Sequence, residues 1–260
     1  MELLSGVIKS PEEVEFLRRA GKILSQCLEM LVSEAQPGVS GKELDLMAEE
    51  FIRDHGCIPA FKGYGPKEKP FPGSICFSRN HVLVHGVPNE RDIIKEGDIV
   101  SIDCGLSLEG WFADAARLFE VGEVEPIYKE MVQSTREALD AGIKTCVAGK
   151  KLGAVSNAIQ RSIVKSKFFN VVQFCGHAIG RAMHEEPQVP NFGAIDKGIV
   201  LEPGMVFCLE PMLLRYRTTK IGILSDGWTV VTADGTKSTH IEHMVLVTEN
   251  LPEVLTDKIN

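Results

Sequence analysis

Asp103 and Asp114 both lie inside apolar, strand-like sequence, Ile99-Val100-Ser101-Ile102-Asp103-Cys104 and Trp111-Phe112-Ala113-Asp114-Ala115-Ala116. An unpaired carboxylate is expensive to bury in such a setting. A hairpin turning around Leu108-Glu109 would set the two aspartates opposite one another on adjacent strands. Facing carboxylates repel unless a cation or a shared proton lies between them. Two histidines, His177 and His184, follow in the small-residue run Cys175-Gly176-His177-Ala178-Ile179-Gly180-Arg181-Ala182-Met183-His184. Glycines allow the backbone to approach a site closely, and neutral imidazole is a common metal ligand. Two glutamates complete the set: Glu210, just before Pro211 at the end of one apolar run, and Glu242, at the head of another. Singly, each has an ordinary alternative as a solvent-facing strand carboxylate or a satisfied loop histidine. Together, one imidazole and four carboxylates on strand ends make an oxygen-rich shell suited to Mn²⁺, Fe²⁺, Co²⁺ or Zn²⁺. A pair of such ions ~3.5–4 Å apart is a common device for activating water against a polarised carbonyl.

The elements that must position these residues alternate helix pairs with β-rich segments. Ser10 and Glu13 form a capping box with Pro11 at the first helical position, and Val14, Leu17, Leu24, Leu28 and Leu31 recur at helical spacing up to Pro37-Gly38. Ser40 and Glu43 cap a shorter helix carrying Leu44, Met47, Ala48 and Phe51 and ending at Gly56. A long helix over 128–146, a break at Ala148-Gly149 and a shorter helix from Leu152 repeat the arrangement, with Gly38 and Gly149 111 residues apart. This spacing suggests an internal duplication, two α-plus-β halves sharing one sheet. Strands are expected over 99–104, 111–121, 171–174, 205–209, 228–232 and 241–247.

Composition excludes several classes. The formal net charge is −8 over 260 residues with no basic run, which offers no electrostatic footprint for nucleic acid or an anionic membrane. No apolar stretch approaches the ~20 residues of a membrane span. Residues 1–10 lack the pattern of a signal or transit peptide. Seven cysteines stand singly, with no C-x-x-C pair, as in a reduced, cytoplasmic protein. The length allows one or two domains, and α/β chains of this size often fold as one, so a single domain over residues 1–260 is expected.

The order and spacing of Asp103, Asp114, His177, Glu210 and Glu242 resemble the five metal ligands of the methionine aminopeptidases. These are α+β proteins of the pita-bread (creatinase/aminopeptidase) fold, with pseudo-twofold halves around a curved antiparallel sheet. The run from His177 to Asn191 resembles that family's signature, and His85, in Val84-His85-Gly86-Val87-Pro88, matches its substrate-side histidine. The resemblance runs from Ile8 to Leu255 and is to the short bacterial type I form. It implies two divalent ions (Co, Mn, Fe or Zn), Asp103 chelating one, Asp114 and Glu242 bridging both, and His177 binding the other, with Glu210 also a ligand. It further implies Glu210 as proton shuttle, His184 at the carbonyl oxygen and His85 at the scissile amide nitrogen. Tyr64, Cys76, Met183 and Trp228 would shape the methionine pocket together with His85 and His184. The implied substrate is the N-terminal methionine of peptides and nascent chains with a small second residue. The implied setting is a cytoplasmic monomer with the ribosome as a partner and no nucleic-acid or membrane ligand.

Two alternatives share the fold: an X-Pro-cleaving enzyme of the aminopeptidase P or prolidase type, and a binding module that has lost catalysis. The sequence departs from the methionine aminopeptidase pattern at several points. Trp111-Phe112-Ala113 precede Asp114, Ala178 and Ala182 replace glycines, His240 stands for a glutamine and Met244 for a threonine. Phe61, Phe71 and Met183 alter the pocket, and a short insertion spans 66–70.

Overall fold

The computed structural model describes residues 7–257, so most of the opening segment on which the absence of a leader was read lies outside it. The first half comprises α1 (Pro11–Glu34), α2 (Gly41–Asp54), β1 (Ile58–Pro59), β2 (Ile75–Arg79), β3 (Val82–Val84), β4 (Ile99–Leu108) and β5 (Trp111–Glu120). The second half opens with α3 (Pro126–Thr145), α4 (Leu152–Lys165), β6 (Phe169–Asn170), β7 (Cys175–Ala178), β8 (Glu185–Pro190) and β9 (Val206–Leu209). It closes with β10 (Met212–Leu214), β11 (Ile221–Ile223), β12 (Val230–Thr232), β13 (Ser238–His240), β14 (His243–Leu246) and β15 (Glu253–Val254).

The two predicted capping boxes are present. Glu13 N–H donates to Ser10 Oγ and Ser10 N–H to Glu13 Oε2, and Ser40 and Glu43 repeat the exchange, satisfying donors that a helix start leaves open. The helix α3 starts at Pro126, whose fixed φ suits that position, two residues ahead of the expected start. Helices α1 and α2 bury Leu17, Leu24, Leu28, Leu31, Leu44 and Ile52 against Val100, Ile102, Cys104 and Leu106 of β4. Helices α3 and α4 bury Met131, Leu139, Val155 and Ile159 against Phe207, Leu209 and Val245. Each helix pair therefore covers a core of its own, to which strands of both halves contribute, and each fully buried Leu or Ile contributes roughly 1.5–3 kcal/mol.

One four-stranded sheet carries β4 between β1, β2 and β5, and one five-stranded sheet runs β15-β14-β9-β7-β8. The two sheets meet where Ala116 and Glu242 exchange backbone hydrogen bonds, each N–H donating to the other's carbonyl at 3.2 Å. The pairing of β12 with β3 is a second tie between halves.

The β4–β5 register differs from the expected one. Leu108 pairs with Trp111, so the turn is Glu109-Gly110, with φ of 53° and 79°. A two-residue turn of this hand needs positive φ at both positions, which favours the Gly110 step over Leu108-Glu109. Asp103 therefore faces Ala116, and Asp114 faces Gly105. The aspartates are diagonal neighbours on one face, not directly opposed. Two expected strands also shift. Residues 171–174 form no ladder, and Val172 N–H donates instead to the Gln173 side chain. Trp228 lies ahead of β12, because Asp226 Oδ1 accepts from both Trp228 N–H and Thr229 N–H at 2.8 Å.

Candidate active site

Alternation along β4 and β5 turns Ile102, Cys104, Ala113 and Ala115 toward the helices and Asp103 and Asp114 the other way. His177 comes from β7, Glu210 follows β9, and Glu242 lies between β13 and β14 at the joint between the sheets. All five residues predicted as metal ligands line one cavity of about 150 Å³. Oxygens of Asp103, Asp114 and Glu242 lie within 4.8 Å of one another. His177 Nε2 is 3.9 Å from Asp114 Oδ2 and 3.9 Å from Glu210 Oε1. A larger groove, about 990 Å³, runs along α3 and α4, but among the described residues it brings no such cluster together.

Asp103 Oδ1, Asp114 Oδ1 and Glu242 Oε1 are buried without a hydrogen-bond partner. Burial pushes the Asp103 carboxyl up to about 7. Burial first, and then mutual repulsion, hold Asp114, Glu210 and Glu242 well above the ordinary carboxylate range. His177 Nδ1 donates to the Ala178 carbonyl at 3.0 Å, leaving the Nε2 lone pair facing the carboxylates. Burial holds that ring neutral, with its pKa down to about 4. Orphaned carboxyl oxygens together with an oriented neutral imidazole are what a divalent-cation site requires, so these residues fit the metals that the resemblance implies.

Around the cluster, His184 stands exposed at the mouth, its Nδ1 2.7 Å from the Tyr64 hydroxyl and its ring edge-on to His177 at 4.3 Å. His85 has a φ of 56°, an uncommon conformation for a residue with a side chain, and its ring meets Phe174 edge-on at 5.6 Å. Burial lowers its pKa to about 4. The apolar wall is Phe61, Phe71, Cys76 and Met183, with Trp228 packed against them and edge-on to Phe71 at 5.4 Å. The predicted pocket residues Tyr64, Cys76, His85, Met183, His184 and Trp228 all line the cavity.

Lys9, buried, pairs with Glu185 at 2.8 Å, and Glu185 Oε1 accepts from Ala182 N–H, which pins the loop carrying His184. His240 also lines the cavity, a place that its sequence context did not reveal. Cys208 lies beside His177 and Glu242, but burial and the adjacent carboxylates keep its thiol protonated. Several departures from the family pattern fall outside the site. Trp111 and Ala113 belong to the helix-facing core, where Trp111 stacks on Phe16 and carries the Arg181 guanidinium 3.9 Å above its ring. Ala178 packs in the core of the second half.

The sequence model of metallopeptidase family M24 matches residues 15–249. The chain belongs to this family. It is 43% identical over 251 residues to the methionine aminopeptidase of Clostridium perfringens, covering 96% of this chain and 98% of that protein. It is 42% identical to methionine aminopeptidase 1 of Bacillus subtilis, with the same coverage of each. The crystal structure of methionine aminopeptidase from Thermotoga maritima superposes with a TM-score of 0.92 at 38% identity, covering 96% of this chain and 98% of that one. The Xaa-Pro dipeptidase of Bacillus anthracis shares the fold at a TM-score of 0.76 and 26% identity, but this chain spans only 63% of it. The architecture of this M24 member is thus the pita-bread fold common to both kinds of peptidase. Its family membership implies divalent-metal chemistry, and its converging carboxylates supply candidate ligands.

In this M24 chain the raised carboxyls make stability depend on pH when cations are chelated. Asp103, Asp114, Glu210 and Glu242 hold protons more tightly folded than unfolded, so raising the pH removes stability. His85, His177 and His240, lowered to about 4, 4 and 3, act in the opposite sense. Their contribution is complete by their unfolded value of about 6.5. The urea midpoint of the chelated protein is therefore expected to fall from pH 6.5 to pH 8.5, and saturating Mn²⁺ should flatten the fall. A midpoint that rises over this interval in chelator would contradict the cluster's electrostatics.

Proposed function

We propose that the chain removes the N-terminal methionine from peptides and nascent proteins whose second residue is small. The observation that carries this reading is the contact between an apolar pocket and the carboxylate cluster. Phe61, Phe71, Cys76, Met183 and Trp228 enclose space for one side chain within the same cavity of about 150 Å³ that exposes Asp103, Asp114, His177, Glu210 and Glu242. Aromatic and sulfur-bearing walls favour a thioether over a polar side chain. A first residue seated there presents its own carbonyl to the cluster.

Asp103, Asp114, His177, Glu210 and Glu242 would hold two divalent ions, Co, Mn, Fe or Zn. When bound, such a pair supplies a nucleophile from water near neutral pH and polarises the carbonyl. Glu210 is the least enclosed of the four carboxylates, and its raised proton affinity suits it to take the water's proton and pass it to the departing amine. The Tyr64 hydroxyl lies 2.7 Å from His184 Nδ1; donation from that hydroxyl would leave the ring proton on Nε2, free to meet the carbonyl oxygen as it becomes an oxyanion. His85, neutral and held in a strained backbone, would contact the scissile amide nitrogen.

A cytoplasmic setting, with nascent chains supplied by the ribosome and the enzyme acting as a monomer, completes the proposal. All seven cysteines are free, as expected of a reducing compartment. No helix among the described residues is long and apolar enough to cross a membrane.

The test is release of free methionine from Met-Ala-Ser by chelated protein, before and after adding Co²⁺ or Mn²⁺. The expected result is metal-dependent release with no hydrolysis of Ala-Pro-Ala. Hydrolysis of Ala-Pro-Ala instead would move the chain to the X-Pro-cleaving enzymes, and inertness toward both by folded, metal-loaded protein would make it a binding module. Glu210→Gln is expected to fold, keep some cation binding and lose about 10²–10⁴-fold in turnover. Wild-type turnover in that variant would remove Glu210 from proton transfer.

A further inference from the structure

His240 is a buried imidazole at the cluster to which the five-ligand reading gives no task. It is the last residue of β13, 2% exposed, and its Nε2 is buried without a hydrogen-bond partner. Backbone pairing with Met212, two residues beyond Glu210, fixes where its side chain begins. The ring nitrogen lies 4.0 Å from Glu210 Oε2 and 4.0 Å from Glu242 Oε2. Both separations are too long for a hydrogen bond.

His177 stands in the same relation to its own two carboxylates, at 3.9 Å from Asp114 Oδ2 and 3.9 Å from Glu210 Oε1. Each oxygen of Glu210 thus faces one imidazole nitrogen at nearly the same distance. Donor atoms ~2.0–2.2 Å from a common ion lie roughly 3–4 Å apart, which is the spacing found on both sides of Glu210. A ring nitrogen sealed from water and from every protein donor bears the full desolvation penalty unless something else occupies its lone pair. Among the groups facing it, two carboxylate oxygens offer no proton at bonding distance, whereas a cation between them would serve all three.

We propose that His240 is a sixth protein ligand of the cation cluster, giving its Nε2 lone pair to an ion that Glu210 and Glu242 also bind. This rests on the metallopeptidase reading above. In the family pattern the position carries glutamine, so the second imidazole distinguishes this chain's shell. It turns an oxygen-dominated site into one with two nitrogen donors, which favours Co²⁺ and Zn²⁺ over Mn²⁺ relative to a single-imidazole site.

The test is calorimetric titration of chelated full-length protein with Co²⁺ and with Mn²⁺, together with the visible spectrum of the Co²⁺-loaded form. Wild type is compared with His240→Gln and His240→Asn, and with His177→Gln as a reference for losing an imidazole ligand. Both His240 variants are expected to lose about 10–100-fold in Co²⁺ affinity, to lose less for Mn²⁺, and to shift the Co²⁺ bands. Wild-type Co²⁺ binding with unaltered affinity and spectrum in both variants would overturn the proposal and leave the metallopeptidase reading standing. Equal losses for Co²⁺ and Mn²⁺ with an unchanged spectrum would make His240 a positioning residue for Glu210, and would also overturn it. A wild-type protein that binds neither ion would overturn both readings.

Discussion

Four carboxyl groups, Asp103, Asp114, Glu210 and Glu242, are brought together in a space that water barely reaches, and they repel one another there. Each half of the fold supplies two of them, so neither half holds the cluster by itself. The backbone exchange between Ala116 and Glu242 fixes the separation, because it joins the strand carrying Asp114 to the segment carrying Glu242. The helix pairs and their two cores hold that joint against the repulsion. A divalent cation converts the same repulsion into binding. The orphaned oxygens of Asp103, Asp114 and Glu242 mark where the framework leaves room for that conversion.

Much of this is legible before folding is considered, because the chemistry constrains residue type. Carboxylates inside apolar strands, capped helices and a small-residue loop with two histidines each have a local physical cause. The β4–β5 register was less legible, since Leu108-Glu109 and Glu109-Gly110 both read as turns and only the demand for positive φ separates them. Trp228 lies outside the strand expected to carry it because Asp226, two residues earlier, takes its N–H. Local side-chain competition of this kind hardly shows in apolar patterning. His240 was hardest to place. Within Ser238-Thr239-His240-Ile241 nothing local distinguishes a core histidine from one facing a cation, and only the fold brings Glu210 beside it.

The departures from the family pattern divide by the face they occupy. Trp111 and Ala113 point into the helix-facing core, where Trp111 meets Phe16 and Arg181, whereas Phe112 between them packs against the pocket wall. Phe61, Phe71 and Met183 do line the cavity, and they make its wall continuous with Cys76 and Trp228. The loop bearing His184 is held by Lys9–Glu185 at its base and by the Phe112 N–H bond to the Gly180 carbonyl. The hairpin that positions Asp114 therefore also positions the loop that presents His184.

The most direct test of a cluster that exchanges protons for cations is Mn²⁺ binding to chelated protein near pH 7, measured calorimetrically in two buffers of different ionisation enthalpy. Carboxyls held protonated by burial must release protons as the cation enters, so the apparent heat should differ between buffers by an amount corresponding to net proton release. Heats that agree in the two buffers, or that indicate proton uptake, would show that the carboxylates were already ionised and would contradict the account.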